Sequence, residues 1–247
     1  MPRSNLSWQL SRPAEGYYSS ELRSRPSLPV RTFLPVGYEP NYPYPLLVFF
    51  HGQGSNEDQI LRLAPRLSRR NYICISVRGP EILGHKADGR GSYGWGTEGQ
   101  FDAETESYVL SAIEQTQRSY HIHSERIFLA GFCEGATPAY RLGLSMPDRI
   151  GGIIALNGRL PKATTSSPLF RLPEIRNLPV FLGHGIANSV VPLTHAKQDF
   201  RLLYSAGVDV TLRTYPTNHK LHTTMLGDID QWIIDRVNAE LDQLIID

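Results

Sequence analysis

The sequence predicts an α/β protein, a mostly parallel β-sheet with helices on both faces and no large lid. Three observations carry that expectation. Apolar runs of strand length alternate with longer amphipathic segments from about residue 45 onward. The pentapeptide Gly131-Phe132-Cys133-Glu134-Gly135 stands between one such apolar run and a segment of helical character. The 247 residues suffice for one large α/β core, so a single domain over 1–247 is expected. Within it, residues 1–29 read as an N-terminal extension with edge strands, and residues 30–247 as the core.

Taken in order, the first 45 residues supply edge strands. One of them covers 29–34, since Pro29 removes a backbone donor and is tolerated at a sheet edge. Gly37-Tyr38-Glu39-Pro40 then turns the chain inward. Leu46-Leu47-Val48-Phe49-Phe50 is a buried strand ending at His51-Gly52-Gln53-Gly54. A helix over 57–70, a strand over 72–77, a Gly-rich loop over 78–100 and an amphipathic helix over 103–120 follow. The run Arg126-Ile127-Phe128-Leu129-Ala130 is a strand leading into the pentapeptide, and 136–146 continues as a helix. Strands are expected at 152–157, 179–184 and 208–214, and helices at 193–204 and 224–244. A loop containing Pro and Ser runs up to residue 178.

Composition removes several classes of function. With 25 Lys and Arg against 24 Asp and Glu, the net charge is +1, so no field favours nucleic acid or an anionic membrane. A small-molecule partner fits better. The first 20 residues are polar, and no apolar run approaches the roughly 18 residues of a membrane span. A soluble, cytoplasmic protein without a membrane span is expected. Two cysteines make no disulfide framework. Cys74, inside Tyr72-Ile73-Cys74-Ile75-Ser76-Val77, reads as a small buried hydrophobe, and Cys133 is left free to react. His121 and His123 lack Cys or carboxylate partners at zinc spacing, and with His85 and His195 they read as surface or loop residues.

The pentapeptide has the Gly-x-nucleophile-x-Gly pattern of a strand-to-helix elbow, with cysteine as the nucleophile. Such a turn holds the nucleophile in a strained conformation, and the flanking glycines keep Cβ atoms out of a crowded junction. Cys133 would then stand exposed at the carboxyl edge of the sheet beside a helix N-terminus, a setting that favours thiolate.

Four segments now stand in a telling order: His51-Gly52-Gln53-Gly54, the Cys133 elbow, His184-Gly185-Ile186-Ala187-Asn188, and Asn218-His219. On these segments the chain, over about 30–240, resembles the phospholipase/carboxylesterase branch of the α/β-hydrolase superfamily, with a cysteine elbow like that of dienelactone hydrolases. The resemblance implies an oxyanion hole built from the backbone amides of Gln53 and Glu134. It makes His219, after Tyr215-Pro216-Thr217-Asn218, the general base, with His222 the competing histidine. His51 and His184 would be supports at strand ends. Of Glu134 only the amide is expected to matter, its side chain pointing away. Tyr93 and Trp95, with Phe101, would wall the substrate pocket.

The departure from the family's pattern is at Asn188, where related hydrolases carry aspartate; Asn157, at the end of the preceding strand, is also not a carboxylate. A serine nucleophile depends on that carboxylate. A cysteine and a histidine that form an ion pair beforehand need only orientation, which an asparagine oxygen supplies. The implied activity is hydrolysis of carboxylic esters or thioesters through an acyl-cysteine, by Cys133, His219 and Asn188, with no metal or organic cofactor. A lactone or dienelactone hydrolase would share that chemistry. A hydrolase-fold protein that binds a small molecule or partner without turnover is the competing class.

Overall fold

In the computed structural model, which describes residues 14–25, 28–96, 100–162 and 174–246, eight strands form one sheet in the order β1-β2-β4-β3-β7-β8-β9-β10. The strands are β1 Gly16–Glu21, β2 Pro29–Leu34, β3 Tyr44–Phe50, β4 Ile73–Val77, β7 Ile122–Phe132, β8 Gly152–Leu156, β9 Pro179–Gly185 and β10 Asp209–Tyr215. From β4 to β10 every pairing is parallel, and only β1 with β2 and β2 with β4 are antiparallel. Strands β3, β4 and β8 are buried at every residue, which is why they read as unbroken apolar runs rather than alternating ones.

Two apolar clusters lie on the two faces. Helices α3 Asp102–Ser119, α4 Ala136–Ser145 and α5 Leu193–Ser205 contribute to one. The short α1 Glu57–Leu61 and α2 Ala64–Leu67, with α6 Thr223–Ile246, contribute to the other. No helix among the described residues is long and apolar enough to cross a membrane.

Three expectations are corrected. Residues 29–34 form a strand, but β1 pairs outside it, so β2 lies inside the sheet. The helix expected over 57–70 is two short helices. Asn56 caps α1 by accepting the Gln59 N–H at 3.0 Å, and Pro65, at the start of α2, has no N–H for the Leu61 carbonyl that a continuous helix would satisfy. The Gly-rich segment holds a two-stranded hairpin, β5 Glu81–His85 with β6 Gly91–Gly94. That hairpin is pinned to the turn after β3 by two bonds of 2.9 Å, Gly54 N–H to Tyr93 O and Tyr93 N–H to Ser55 O. Parts of the N-terminal extension, of the Gly-rich segment and of the loop before residue 178 lie outside the described residues, namely 1–13, 26–27, 97–99 and 163–173.

The elbow forms as expected, and sterics explain its glycines. Cys133 has φ of 57°, in the left-handed region that L side chains rarely adopt. A Cβ at Gly135 would overlap the carbonyl oxygens of Phe50 and His51, and one at Gly131 would overlap the carbonyl of Gly135. Backbone therefore packs on backbone where β3 and β7 deliver their two turns to one point. Gly135→Ala should destabilise the protein by about 3 kcal/mol or prevent its folding. Gly227→Ala, in α6 where nothing lies within 4 Å of the new methyl, should raise stability by about 0.5–1 kcal/mol. Urea unfolding midpoints of the two variants check this, and a neutral Gly135→Ala would contradict it.

Candidate active site

The carboxyl ends of β3, β7, β8, β9 and β10 bring together the segments that the sequence separates. After β3, His51 is fully buried. Its Nε2 accepts the Gly79 N–H at 2.9 Å, so the ring proton sits on Nδ1 and donates to Gly52 O at 2.9 Å. Burial lowers its pKa and keeps this tautomer neutral. Trp95 Nε1–H donates to His51 O at 2.7 Å, and its ring packs on Phe50 and His51. The turn carrying Gln53 is thereby braced from beneath.

At the elbow, the turn after β3 lies against Cys133, and the backbone N–H groups of Gln53 and Glu134 both favour its thiolate. Burial nevertheless dominates and raises the thiol above its ordinary 9.0; the two amides pull it down, and the Glu134 carboxylate pushes it up again. The expectation of an exposed thiolate is corrected: Cys133 is half-buried, and its resting form is the thiol. Cys74 is a fully buried side chain of the core, its thiol pushed up by burial.

Across the site, His219 Nδ1 lies 3.1 Å from Asn188 Oδ1. Which of the two donates is settled by the surroundings of Asn188. Its Oδ1 accepts the N–H groups of Val190 at 3.1 Å and Val191 at 2.9 Å, and its Nδ2 donates to Asn157 Oδ1 at 3.1 Å. The oxygen therefore faces His219, Nδ1 carries the proton, and the Nε2 lone pair is free to accept one. Burial, and after it His184, lower the His219 pKa, so this ring is neutral at rest. His184 is itself lowered by burial, and its Nε2–H donates to Val191 O at 2.7 Å. His184 and His51 are thus buried supports at their strand ends. The His219 ring stands 5.1 Å from that of Phe132, the neighbour of Cys133 in the chain. Sγ and the imidazole are not hydrogen-bonded to each other; such contacts commonly close only when substrate is bound. His222 instead accepts the Thr224 N–H at 3.2 Å at the start of α6 and stacks near Tyr215.

Asn157 is the residue whose part the sequence did not disclose. It is fully buried with φ of 51°. Its Oδ1 accepts from Gly185 N–H at 2.8 Å as well as from Asn188, and its Nδ2 donates to Lys220 O at 3.0 Å in the loop of His219. The available signal was an asparagine at a strand end, a residue type that tolerates the left-handed region.

The two pocket residues separate. Trp95 is 6% exposed and offers no surface to a substrate, which corrects that expectation. Tyr93 lines a cleft of about 200 Å³ with Arg78, Ile82, Thr105 and Tyr108. The Arg78 guanidinium stands 4.6 Å over its ring and is paired with the buried Glu57. The Glu134 carboxylate accepts the Trp95 N–H at 3.3 Å, so it turns to the β5–β6 hairpin, and its charge acts on Cys133. Among the described residues no group of three His, Cys, Asp or Glu converges as a metal site.

The asparagine-held tautomer is directly observable. Nitrogen-15 NMR should find His219 protonated on Nδ1 at neutral pH and titrating below an ordinary histidine. Asn188→Leu, which removes the acceptor, should release that preference. An Nε2–H tautomer in the unaltered protein would contradict the arrangement.

The chain is similar to known hydrolases in sequence and in fold. The profile of the phospholipase/carboxylesterase family matches residues 39–235. An acyl-protein thioesterase 1 of Gibberella zeae is 26% identical over 189 residues, 69% of this chain and 80% of that protein. A probable carboxylesterase of Oryza sativa subsp. japonica is 27% identical over 143 residues, 55% of this chain and 53% of that protein, so the chain spans only about half of the second relative. Among solved structures, a carboxylesterase from Mesorhizobium loti superposes with a TM-score of 0.67 at 18% identity, covering 87% of this chain and 98% of its own. An acyl-protein thioesterase 2 of Zea mays does so with a TM-score of 0.66 at 18% identity, over 84% and 98%. Since the family match spans most of the chain and these structures share its fold, the chain belongs to the phospholipase/carboxylesterase family of α/β-hydrolases.

Proposed function

We propose that the protein hydrolyses carboxylic esters or thioesters through an acyl-cysteine on Cys133, with His219 as the general base and Asn188 orienting it. The observations that support this most directly are the left-handed backbone of Cys133 at the elbow and the His219 Nδ1 to Asn188 Oδ1 contact of 3.1 Å, with the Gln53 and Glu134 amides beside the sulfur. Two backbone donors beside a nucleophile stand where the oxyanion of an acyl-transfer transition state would form, and each is worth about 3 kcal/mol when aimed at that oxygen. The named relatives, acyl-protein thioesterases and carboxylesterases, point to the same substrate class.

In this reading both partners start neutral. His219 Nε2 takes the thiol proton as Sγ attacks the carbonyl carbon, and the two amides receive the developing oxyanion. The imidazolium then returns the proton to the departing alcohol or thiol. Water, deprotonated by His219, cleaves the acyl-cysteine in the same way. No preformed ion pair is needed, since Asn188 already holds the tautomer whose Nε2 can accept a proton. The missing aspartate matters less to a thiol than to an alcohol, because a thiol yields its proton more easily.

Cys133→Ala and His219→Ala should each lower kcat/KM for an activated thioester by about three orders of magnitude or more, while His222→Ala keeps most of it. Unchanged turnover in Cys133→Ala would remove Cys133 as the nucleophile, and no turnover in the unaltered protein would leave a binding protein instead.

Cys133→Ser should be nearly inactive, and adding Asn188→Asp should restore part of the rate. In the cysteine background Asn188→Asp should cost activity, because a second acceptor oxygen would then face Asn157 Oδ1. A double-mutant cycle in kcat/KM measures the coupling, and additive effects would remove Asn188 from the mechanism.

A further inference from the structure

We propose that the Glu134 carboxylate, set beside that of Glu81 at the hairpin, restrains the nucleophile electrostatically by adding a fixed negative charge to the burial that already disfavours a thiolate on Cys133. This rests on the reading of Cys133 as the nucleophile. Glu134 follows it directly in the chain, and the Glu134 carboxylate is held in the hairpin by the Trp95 N–H at 3.3 Å. Strand register puts Glu81 of β5 opposite Gly94 of β6. A Cβ built on Gly94 would lie 2.6 Å from Glu81 Oε2 and 3.3 Å from Glu134 Oε2, so both acids open on the one space that a missing side chain leaves. Glycine at 94 is what lets the two carboxylates meet beside the elbow.

Among the described residues neither acid has an ion-pair partner. Arg78, which leads into the hairpin, is committed to Glu57 and to the Tyr93 ring. Lys86, at the end of the hairpin strand, donates to Gln59. On the flanks of Cys133, His51 and His219 are both depressed by burial and carry no charge at rest. The negative charge is therefore uncompensated. Glu134 is raised by burial and further by Glu81, as expected of two like charges at one site. Burial first, and the Glu134 charge after it, oppose a thiolate on Cys133. Alkylation and oxidation both follow the thiolate fraction, so a nucleophile restrained in this way is spared side reactions until His219 removes its proton.

The test is the pH profile of Cys133 alkylation by iodoacetamide, read by peptide mass spectrometry with Cys74 as the buried internal control. Glu134→Gln keeps an oxygen for the Trp95 N–H and removes the charge. It should move the profile to lower pH and speed alkylation at pH 7 about fivefold. Glu81→Gln, which removes only the charge facing Glu134, should leave the profile close to that of the unaltered protein, and Glu134→Asp, which keeps the charge, should do the same. A merely structural role would not produce that ordering. An unmoved profile in Glu134→Gln, or an equal shift in Glu134→Asp, overturns the restraint. Loss of the nucleophile reading would show separately, as turnover that survives Cys133→Ala.

Discussion

The hydrogen bond that the site depends on is the one from Asn188 Nδ2 to Asn157 Oδ1. An amide has a direction, and this contact, with the two N–H groups of Val190 and Val191, gives Asn188 only one way to lie. That direction passes to His219 as a tautomer. Asn157 in turn holds Gly185 and Lys220, so one buried side chain ties the end of β9, the turn of Asn188 and the loop of the histidine. The left-handed backbone of Asn157 is sustained by those bonds.

This network changes the meaning of the aspartate that is absent. A carboxylate both orients a histidine and stabilises the charge it acquires; a fixed amide does only the first. With Cys133 raised by burial and His219 lowered by it, the resting site is neutral throughout its center, and the proposed proton transfer belongs to the reaction rather than to the resting state. The cysteine and the asparagine are matched in that sense. The easier proton of a thiol offsets the missing charge.

Close backbone packing is the second constraint. Gly131 and Gly135 let the elbow lie against the turn after β3, and this approach brings the Gln53 and Glu134 amides beside one sulfur. The β5–β6 hairpin completes the arrangement from outside the sheet. Its backbone is bonded to Gly54 and Ser55, Trp95 just beyond it reaches His51, and Glu134 reaches back to Trp95. Support of the turn that carries Gln53 and the charge beside Cys133 thus come from the same hairpin.

The alternation of apolar runs, the glycine-flanked Cys133 and the order of the histidine-bearing turns were legible from the chain, because burial on both faces and a tight elbow leave local marks on residue type. Strands β3, β4, β7, β8, β9 and β10 all lie where their apolar runs lie. The hairpin was not legible, since its glycines and charges read as loop until Ser55 and Gly54 give it partners. Trp95 looked like a pocket wall because an aromatic side chain carries no mark of which way it faces. The protonation of Cys133 is not legible for a similar reason: a helix N-terminus is visible in sequence, but the desolvation that raises the thiol is not. The sequence by itself determined the fold and singled out Cys133, His219 and Asn188. Only the tertiary structure decided the direction of the Asn188 amide, the tautomer of His219 and the facing of Glu81 and Glu134, because each depends on donors and charges that separate strands bring to one point.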